Sequence, residues 1–227
     1  MGKNLIDLYT DYLISSFSQT TATGLSTLVD GCLSHDQITT FLAESDLDSK
    51  SLWLHVKPMV RELEKAKGTG VLIFDDSIAE KPYSDENEIV CYHWDHSKKH
   101  YIKGINFLNC LFEKDGISLP VSAEIIEKDE CFIDPKTGKE KRRSSITKNQ
   151  LMQKMLTVTQ NNRVLYDYVL ADSWFSSADN MKFIKKGLHK EFVFALKSNR
   201  LAALSFEDKL EGKFVPIDSL PLNEDSL

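Results

Sequence analysis

Aspartates follow two apolar segments of strand length, and paired carboxylates of this kind can hold divalent metal ions. Residues 71–74 run into Asp75 and Asp76, and residues 168–171 run into Asp172. In an open α/β sheet, side chains at the ends of neighbouring strands lie close together. Two such carboxylates can share Mg²⁺, and a pair of ions can activate water against a phosphodiester. The pattern therefore indicates a metal-dependent phosphodiester site.

Only one of the two adjacent aspartates can face that site, because side chains alternate between the two faces of a strand. Aspartates also end strands simply because turns favour them. The nuclease interpretation thus requires Asp75 or Asp76 to converge with Asp172 on one side of the sheet. Carboxylates on opposite sides would exclude it.

A second group of possible ligands comprises Cys91, His93, Asp95, His96 and His100. Alternation on a strand places the first three on one face and His96 on the other. A strand end near DNA phosphates is therefore a better interpretation than a zinc site. Neither a glycine-rich phosphate loop nor a nucleophile elbow occurs, which disfavours nucleotide-driven and serine-hydrolase chemistry.

Basic residues are concentrated in the middle of an acidic chain. The net charge is −6, but residues 67–200 hold 21 basic and 19 acidic side chains. The side chains that we expect to contact DNA are Lys81, Lys103, Lys141, Arg142, Arg143, Lys197 and Arg200.

Two aromatic residues, Trp174 and Phe175, follow Asp172. An aromatic ring at this position can stack on an unpaired base or pack beneath the next helix.

Residues 1–66 have helical patterns at 5–13, 34–42 and 48–63, and Ser34 and Gln37 have the spacing of a capping box. Pro58 is expected to kink or split the third of these helices. The region can be a helix-turn-helix DNA reader or a helical subdomain.

From residue 67 the patterns change to strands. They lie at 71–74, 88–94, 102–112, 117–126, 168–171 and 191–196, with helices starting at Ser144 or Ser145 and covering 178–186. This order predicts an α/β fold, a ribonuclease-H-like mixed sheet flanked by helices over 67–200, in which strands 71–74 and 168–171 are neighbours. No apolar segment is long enough to span a membrane, and the cysteines lack a paired motif, so we expect a cytoplasmic protein.

The sequence around the aspartates resembles that of cut-and-paste insertion-sequence transposases of the DDE type, in the retroviral-integrase-like superfamily. The similar segments are 75–77, 80–83, 93–96, 103–106 and 168–177, and the resemblance covers about Ser34 to Arg200. It implies that Asp75, in its Asp-x-Ser context, is the first metal ligand, with Asp76 as the alternative, and that Asp172 is the second. Two Mg²⁺ or Mn²⁺ ions are implied as cofactors.

The same resemblance implies double-stranded DNA partners, namely transposon terminal inverted repeats and target DNA. It also implies a homodimer on the paired ends and a location at the bacterial nucleoid. The helical residues 1–66 would then serve DNA-end binding.

The chain departs from that family in one respect. The family's glutamate motif, Tyr-x2-Arg-x3-Glu-x6-Lys, does not occur, and residues 201–227 resemble the start of the family's β-rich insertion. We therefore expect a C-terminally incomplete fold, weak metal binding and no strand cleavage by this chain alone. The alternatives are a catalytically inactive DNA-binding or inhibitory fragment, and a host ribonuclease-H-like nuclease with a different third acid.

Overall fold

The computed structural model describes residues 2–17, 19–45 and 47–220, and the chain divides into two compact units, 1–47 and 48–227. The division precedes the helix of residues 49–63, whereas the sequence pattern placed a boundary after it, at residue 66. That helix belongs with the larger unit because its apolar side is part of the larger core.

The first unit consists of three helices: α1 (Gly2–Ser15), α2 (Ala22–Leu28) and α3 (His35–Glu44). Tyr12, Leu25 and Ile38 form its core. The Ser34–Gln37 capping box at the start of α3 is confirmed. The sequence pattern missed α2, which begins after a Thr21 cap and has only seven residues.

The larger unit opens with α4 (Ser49–Leu63), whose Trp53, Val56 and Val60 are buried. Pro58 lies within α4 without splitting it. Of the two expected effects of Pro58, a kink or a split, the split is therefore excluded. Pro58 is exposed, and burial of the opposite side stabilises the helix despite the hydrogen bond that a proline cannot donate.

The remaining elements follow in chain order: β1 (Val71–Glu80), β2 (Cys91–Asp95), β3 (His100–Lys114), β4 (Ile117–Ile125), β5 (Glu130–Ile133), β6 (Glu140–Arg143), α5 (Lys148–Asn161), β7 (Tyr168–Ala171), α6 (Ala178–Lys182), a π-helix (Phe183–Gly187), β8 (Glu191–Phe194), β9 (Leu201–Ala202), α7 (Phe206–Leu210), β10 (Val215–Pro216) and a 3₁₀ turn (Ile217–Ser219).

The main sheet has the order β2-β3-β1-β7-β8, and β4 also pairs with β3. β1 is antiparallel to β3 and parallel to β7, and β7 is parallel to β8. Leu72, Phe74 and Val169 face a core that α4 and α5 complete. The predicted ribonuclease-H-like fold class and the adjacency of the two aspartate-bearing strands are confirmed.

β5 and β6 form a separate antiparallel hairpin. Two local predictions were wrong for identifiable reasons. β1 continues past Asp75 to Glu80, because β3 pairs with it along that whole length. α5 begins after a Thr147 cap, while Ser144 and Ser145 bind Glu127 and Asp129 instead.

The segment that was expected to start a β-rich insertion contains the short antiparallel pair β9–β10, and residues 221–227 lie outside the described part. No described helix combines the length and apolar character needed to cross a membrane.

Candidate active site

The last residue pair between the parallel strands β1 and β7 is Phe74 with Ala171, so Asp75 and Asp172 follow side by side. Phe74 and Val169 point into the core, and strand alternation directs Asp75 to the opposite side of the sheet. Asp172 follows the last residue of β7, close enough for its charge to act on Asp75. Both aspartates are solvent-exposed. The backbone register thus places Asp75 and Asp172 next to each other at the ends of neighbouring strands.

The two carboxylates also interact electrostatically. Partial burial raises the pKa of Asp75, and the negative charges of Asp76 and Asp172 raise it further, against a hydrogen bond from the Asp76 N–H and the charge of Lys148. Crowded negative charge of this kind favours a bound cation.

Asp76 lies on the core side and has a different partner. Its Oδ2 is 2.7 Å from Nζ of Lys148, the first residue of α5. Lys148 was not among the expected site residues, because the start of α5 was predicted at Ser144 or Ser145. The Thr147–Gln150 capping-box spacing is the signal that identifies the correct start.

A short turn fixes the residues that follow Asp172. The Trp174 N–H donates to Oδ1 of Asp172, at 2.9 Å. Phe175 is fully buried, and its carbonyl accepts a hydrogen bond from the buried Asn180 side chain, which also contacts Asn149 of α5. Core packing therefore involves Phe175, whereas Trp174 remains 47% exposed.

Lysines surround the Trp174 ring. Nζ of Lys197 lies 5.0 Å and Nζ of Lys148 5.7 Å from the ring centroid. Arg200 donates to the carbonyl of Ser176, at 3.1 Å. Lys197 and Arg200 therefore add positive charge beside the carboxylate pair, whereas the charge of Lys148 is partly neutralised by Asp76.

The other predicted DNA contacts lie at two separate places. The Lys81 N–H donates to the Lys103 carbonyl, at 2.8 Å, beyond the pairing of β1 with β7. Lys141, Arg142 and Arg143 lie on β6. Lys141 is bound to Asp134 and Arg143 to Glu130, so these two charges are partly neutralised.

The cysteine–histidine group does not form a metal centre. Sγ of Cys91 is 3.3 Å from Nε2 of His93, and both residues are buried. Asp95 instead accepts backbone hydrogen bonds in a turn, and His100 contacts the Lys98 carbonyl. Within the described ranges, no three His, Cys, Asp or Glu side chains are grouped so as to hold a metal ion.

His93 predicts a specific pH dependence of stability. Burial lowers its pKa to about 4, and the charges of Lys128 and Lys148 act in the same direction. The unfolded chain, with a histidine pKa of about 6.5, binds more protons between these values. The stability contributed by neutral His93 is therefore complete above about pH 6.5 and is lost as the pH falls towards about 4.

We expect the free energy of unfolding of the wild type to fall by about 1–3 kcal/mol more than that of His93→Gln across this interval. Urea denaturation at a series of pH values measures the difference. Parallel pH curves for the two proteins would contradict the assignment.

A comparison with known proteins identifies the family to which the chain is similar. A model of the DDE superfamily endonuclease family matches residues 3–210. No curated protein matches the chain. Among solved structures, the Drosophila P element transposase strand transfer complex is 14% identical with a TM-score of 0.32, and the match covers 79% of this chain and 35% of that one.

The Mos1 strand transfer complex is 11% identical with a TM-score of 0.26, and the match covers 88% of this chain and 59% of that one. The chain thus spans well under two thirds of either transposase. Since the family model extends over nearly all of its residues, the protein belongs to the DDE superfamily endonucleases.

Proposed function

We propose that the protein is a DNA transposase, or a part of one, of the insertion-sequence kind, whose Asp75 and Asp172 hold Mg²⁺ or Mn²⁺ for phosphodiester hydrolysis and strand transfer. The observation that carries the proposal is the placement of these two aspartates side by side at the ends of parallel strands, in a chain of the DDE superfamily.

The donor set suits such ions. Carboxylate oxygens are the ligands that Mg²⁺ prefers, and exposure of both aspartates leaves room for the waters that it retains. When bound, a pair of ions would activate water and stabilise the leaving oxygen. Asp75 and Asp172 would hold the ions, and Lys148 and Lys197 would attract the phosphates of the approaching strand.

The proposed partners are the terminal inverted repeats and target DNA, bound at the bacterial nucleoid by a homodimer that holds both ends together. The further phosphate contacts would come from Lys81, Lys103, Lys141, Arg142, Arg143 and Arg200. Of residues 1–66, which were expected to serve end binding, residues 1–47 form the separate unit that would do so, and α4 would belong with residues 67–200 in the catalytic core. Residues 201–227 would begin a β-rich insertion.

A second candidate is DNA binding without cleavage. It is favoured by one observation: no third acidic or histidine ligand joins Asp75 and Asp172 in the described part of the chain. We therefore propose that this chain alone binds metal weakly and does not cut DNA.

Fluorescence anisotropy can test the DNA partner. Duplexes from either flank of the gene are compared with shuffled duplexes of equal length over a series of salt concentrations. We expect at least about tenfold preference for the flanking sequence, superimposed on a salt-dependent phosphate component. Equal affinity for both duplexes would exclude end recognition.

A nicking assay on a supercoiled plasmid with Mg²⁺ or Mn²⁺ tests whether this chain alone can cleave DNA. We expect no cleavage. Cleavage that Asp172→Asn abolishes would support the metal site and disprove the inactivity. Cleavage that survives Asp172→Asn would disprove the site.

A further inference from the structure

Four rings form a continuous surface row that begins beside Asp172. From Trp174 the row passes to His96 at 6.0 Å between ring centroids, then to Trp94 at 6.4 Å and to Tyr101 at 5.1 Å. We call these four residues the ring row. They come from the turn after β7, from β2 and its following turn, and from β3, so only the fold brings them together.

The ring row is open to solvent. Trp94 is 44%, Trp174 47% and Tyr101 65% exposed, and His96 is also exposed. Tryptophans usually bury most of their surface in a core or an interface. Two half-exposed tryptophans in one row therefore indicate a binding surface.

The charged side chains at the two ends of the ring row restrict the kind of ligand that the row can bind. Lys148 and Lys197 hold their ammonium groups over Trp174, at one end of the row. At the other end, Tyr101 lines a cavity of about 540 Å³ whose charged wall residues are three basic and two acidic side chains: Lys128, Lys141, Arg142, Glu86 and Glu140. Rings between cations match a ligand that carries both flat apolar groups and phosphates.

The ring geometry distinguishes a single strand from a duplex. In a duplex, bases stack at about 3.4 Å and cover each other's faces. The row has wider spacings, and its neighbouring rings are inclined by 56–81°. Rings inclined in this way cannot all lie parallel to one continuous base stack, so their exposed faces suit single unstacked bases better than a duplex.

We propose that the ring row binds the unpaired strand of DNA beside the cleavage site, with bases stacked on Trp174 and Trp94 and phosphates near Lys148 and Lys197. The turn that joins Trp174 to Asp172 would place the first bound base next to the phosphodiester held by the metal ions. The inference rests on the proposed action on DNA, but binding of a single strand needs no metal and is testable separately.

The test measures affinity for a thymidylate oligomer of roughly 12 nucleotides, and for a hairpin duplex, in EDTA. Trp94→Ala and Trp174→Ala are each expected to weaken binding of the oligomer about 5- to 160-fold, the range for loss of one stacked base. Trp94→Phe and Trp174→Phe retain a ring and are expected to bind within about threefold of wild type.

Tyr83→Ala is the matched control, because Tyr83 is 94% exposed and lies outside the ring row. It should leave the affinity unchanged. Lys197→Gln keeps all four rings and should reduce the salt dependence of oligomer binding, which provides a second test if an alanine variant unfolds.

Intrinsic fluorescence gives an independent readout. The chain has three tryptophans, and Trp53 is buried. Stacked thymine should quench Trp94 and Trp174, and the double variant Trp94→Phe/Trp174→Phe should bind the oligomer without quenching.

Unchanged oligomer affinity in both alanine variants would overturn the proposal, as would an equal loss of hairpin-duplex affinity. If the oligomer binds in a tryptophan-dependent way but Mn²⁺ does not bind, the ring-row proposal is supported and only the proposed metal-dependent nuclease site is contradicted.

Discussion

Asp75→Asn is expected to weaken Mn²⁺ binding at least about tenfold, because even the loss of a residue that only supports a metal ligand typically costs about that much affinity. Asp76→Asn should change the Mn²⁺ affinity less than about threefold. Asp75 follows the last residue pair of β1 and β7, beside Asp172, and the two charges interact, whereas Asp76 lies on the core side against Lys148. Electron paramagnetic resonance of free Mn²⁺ during titration measures the affinity. Asp172→Asn should match Asp75→Asn.

Asp76→Asn has its own expected effect, which makes it an informative control. It removes the negative partner of Lys148, and we expect the free energy of unfolding to fall by about 1 kcal/mol, as for a partly exposed ion pair. Loss of Mn²⁺ binding in Asp76→Asn but not in Asp75→Asn would reverse the ligand assignment. No loss in any of the three variants would place the metal elsewhere.

Phe175→Ala is expected to lower the free energy of unfolding by about 3–5 kcal/mol, the usual cost of emptying a buried phenylalanine site. Phe175 is fully buried in the main core, and it anchors the turn that carries Asp172. In the folded fraction, Mn²⁺ binding should therefore weaken as well. Urea denaturation and the Mn²⁺ titration measure the two effects.

The neighbouring Trp174 provides the matched control. Trp174→Ala removes an even larger aromatic group, but one that is 47% exposed, so we expect a loss of at most about 1 kcal/mol. Phe175→Leu keeps most of the buried volume and should cost less than about 1.5 kcal/mol. Similar losses for Phe175→Ala and Trp174→Ala would show that the two rings do not differ in packing as the structure indicates.

Local sequence was sufficient for the strands that carry the site. The apolar residues before Asp75 and Asp172 predicted two core strands. The order of strands and helices predicted that these strands are neighbours, because the rules for connecting strands leave only a few possible sheet topologies. The Ser34 cap was predicted in the same way, since a capping box depends only on residues three apart.

Boundaries were less predictable wherever distant pairing decided them. β1 extends to Glu80 because β3 continues beside it, and nothing within residues 75–80 signals that partner. Pro58 remains inside α4 because burial of the opposite side outweighs one lost hydrogen bond. In both cases tertiary contacts overcame a correct local tendency.

What the sequence determined by itself is the chemistry available: two aspartates at strand ends, basic residues nearby, and a family resemblance that the superfamily match supports. Only the tertiary structure decided which side chains meet. It separated Asp75 from Asp76 by the two sides of one strand, recruited Lys148 from another helix, and assembled Trp174, His96, Trp94 and Tyr101 into one row. The reason is physical: residue type and periodicity determine which side of an element a residue occupies, whereas contacts between distant elements depend on register and packing.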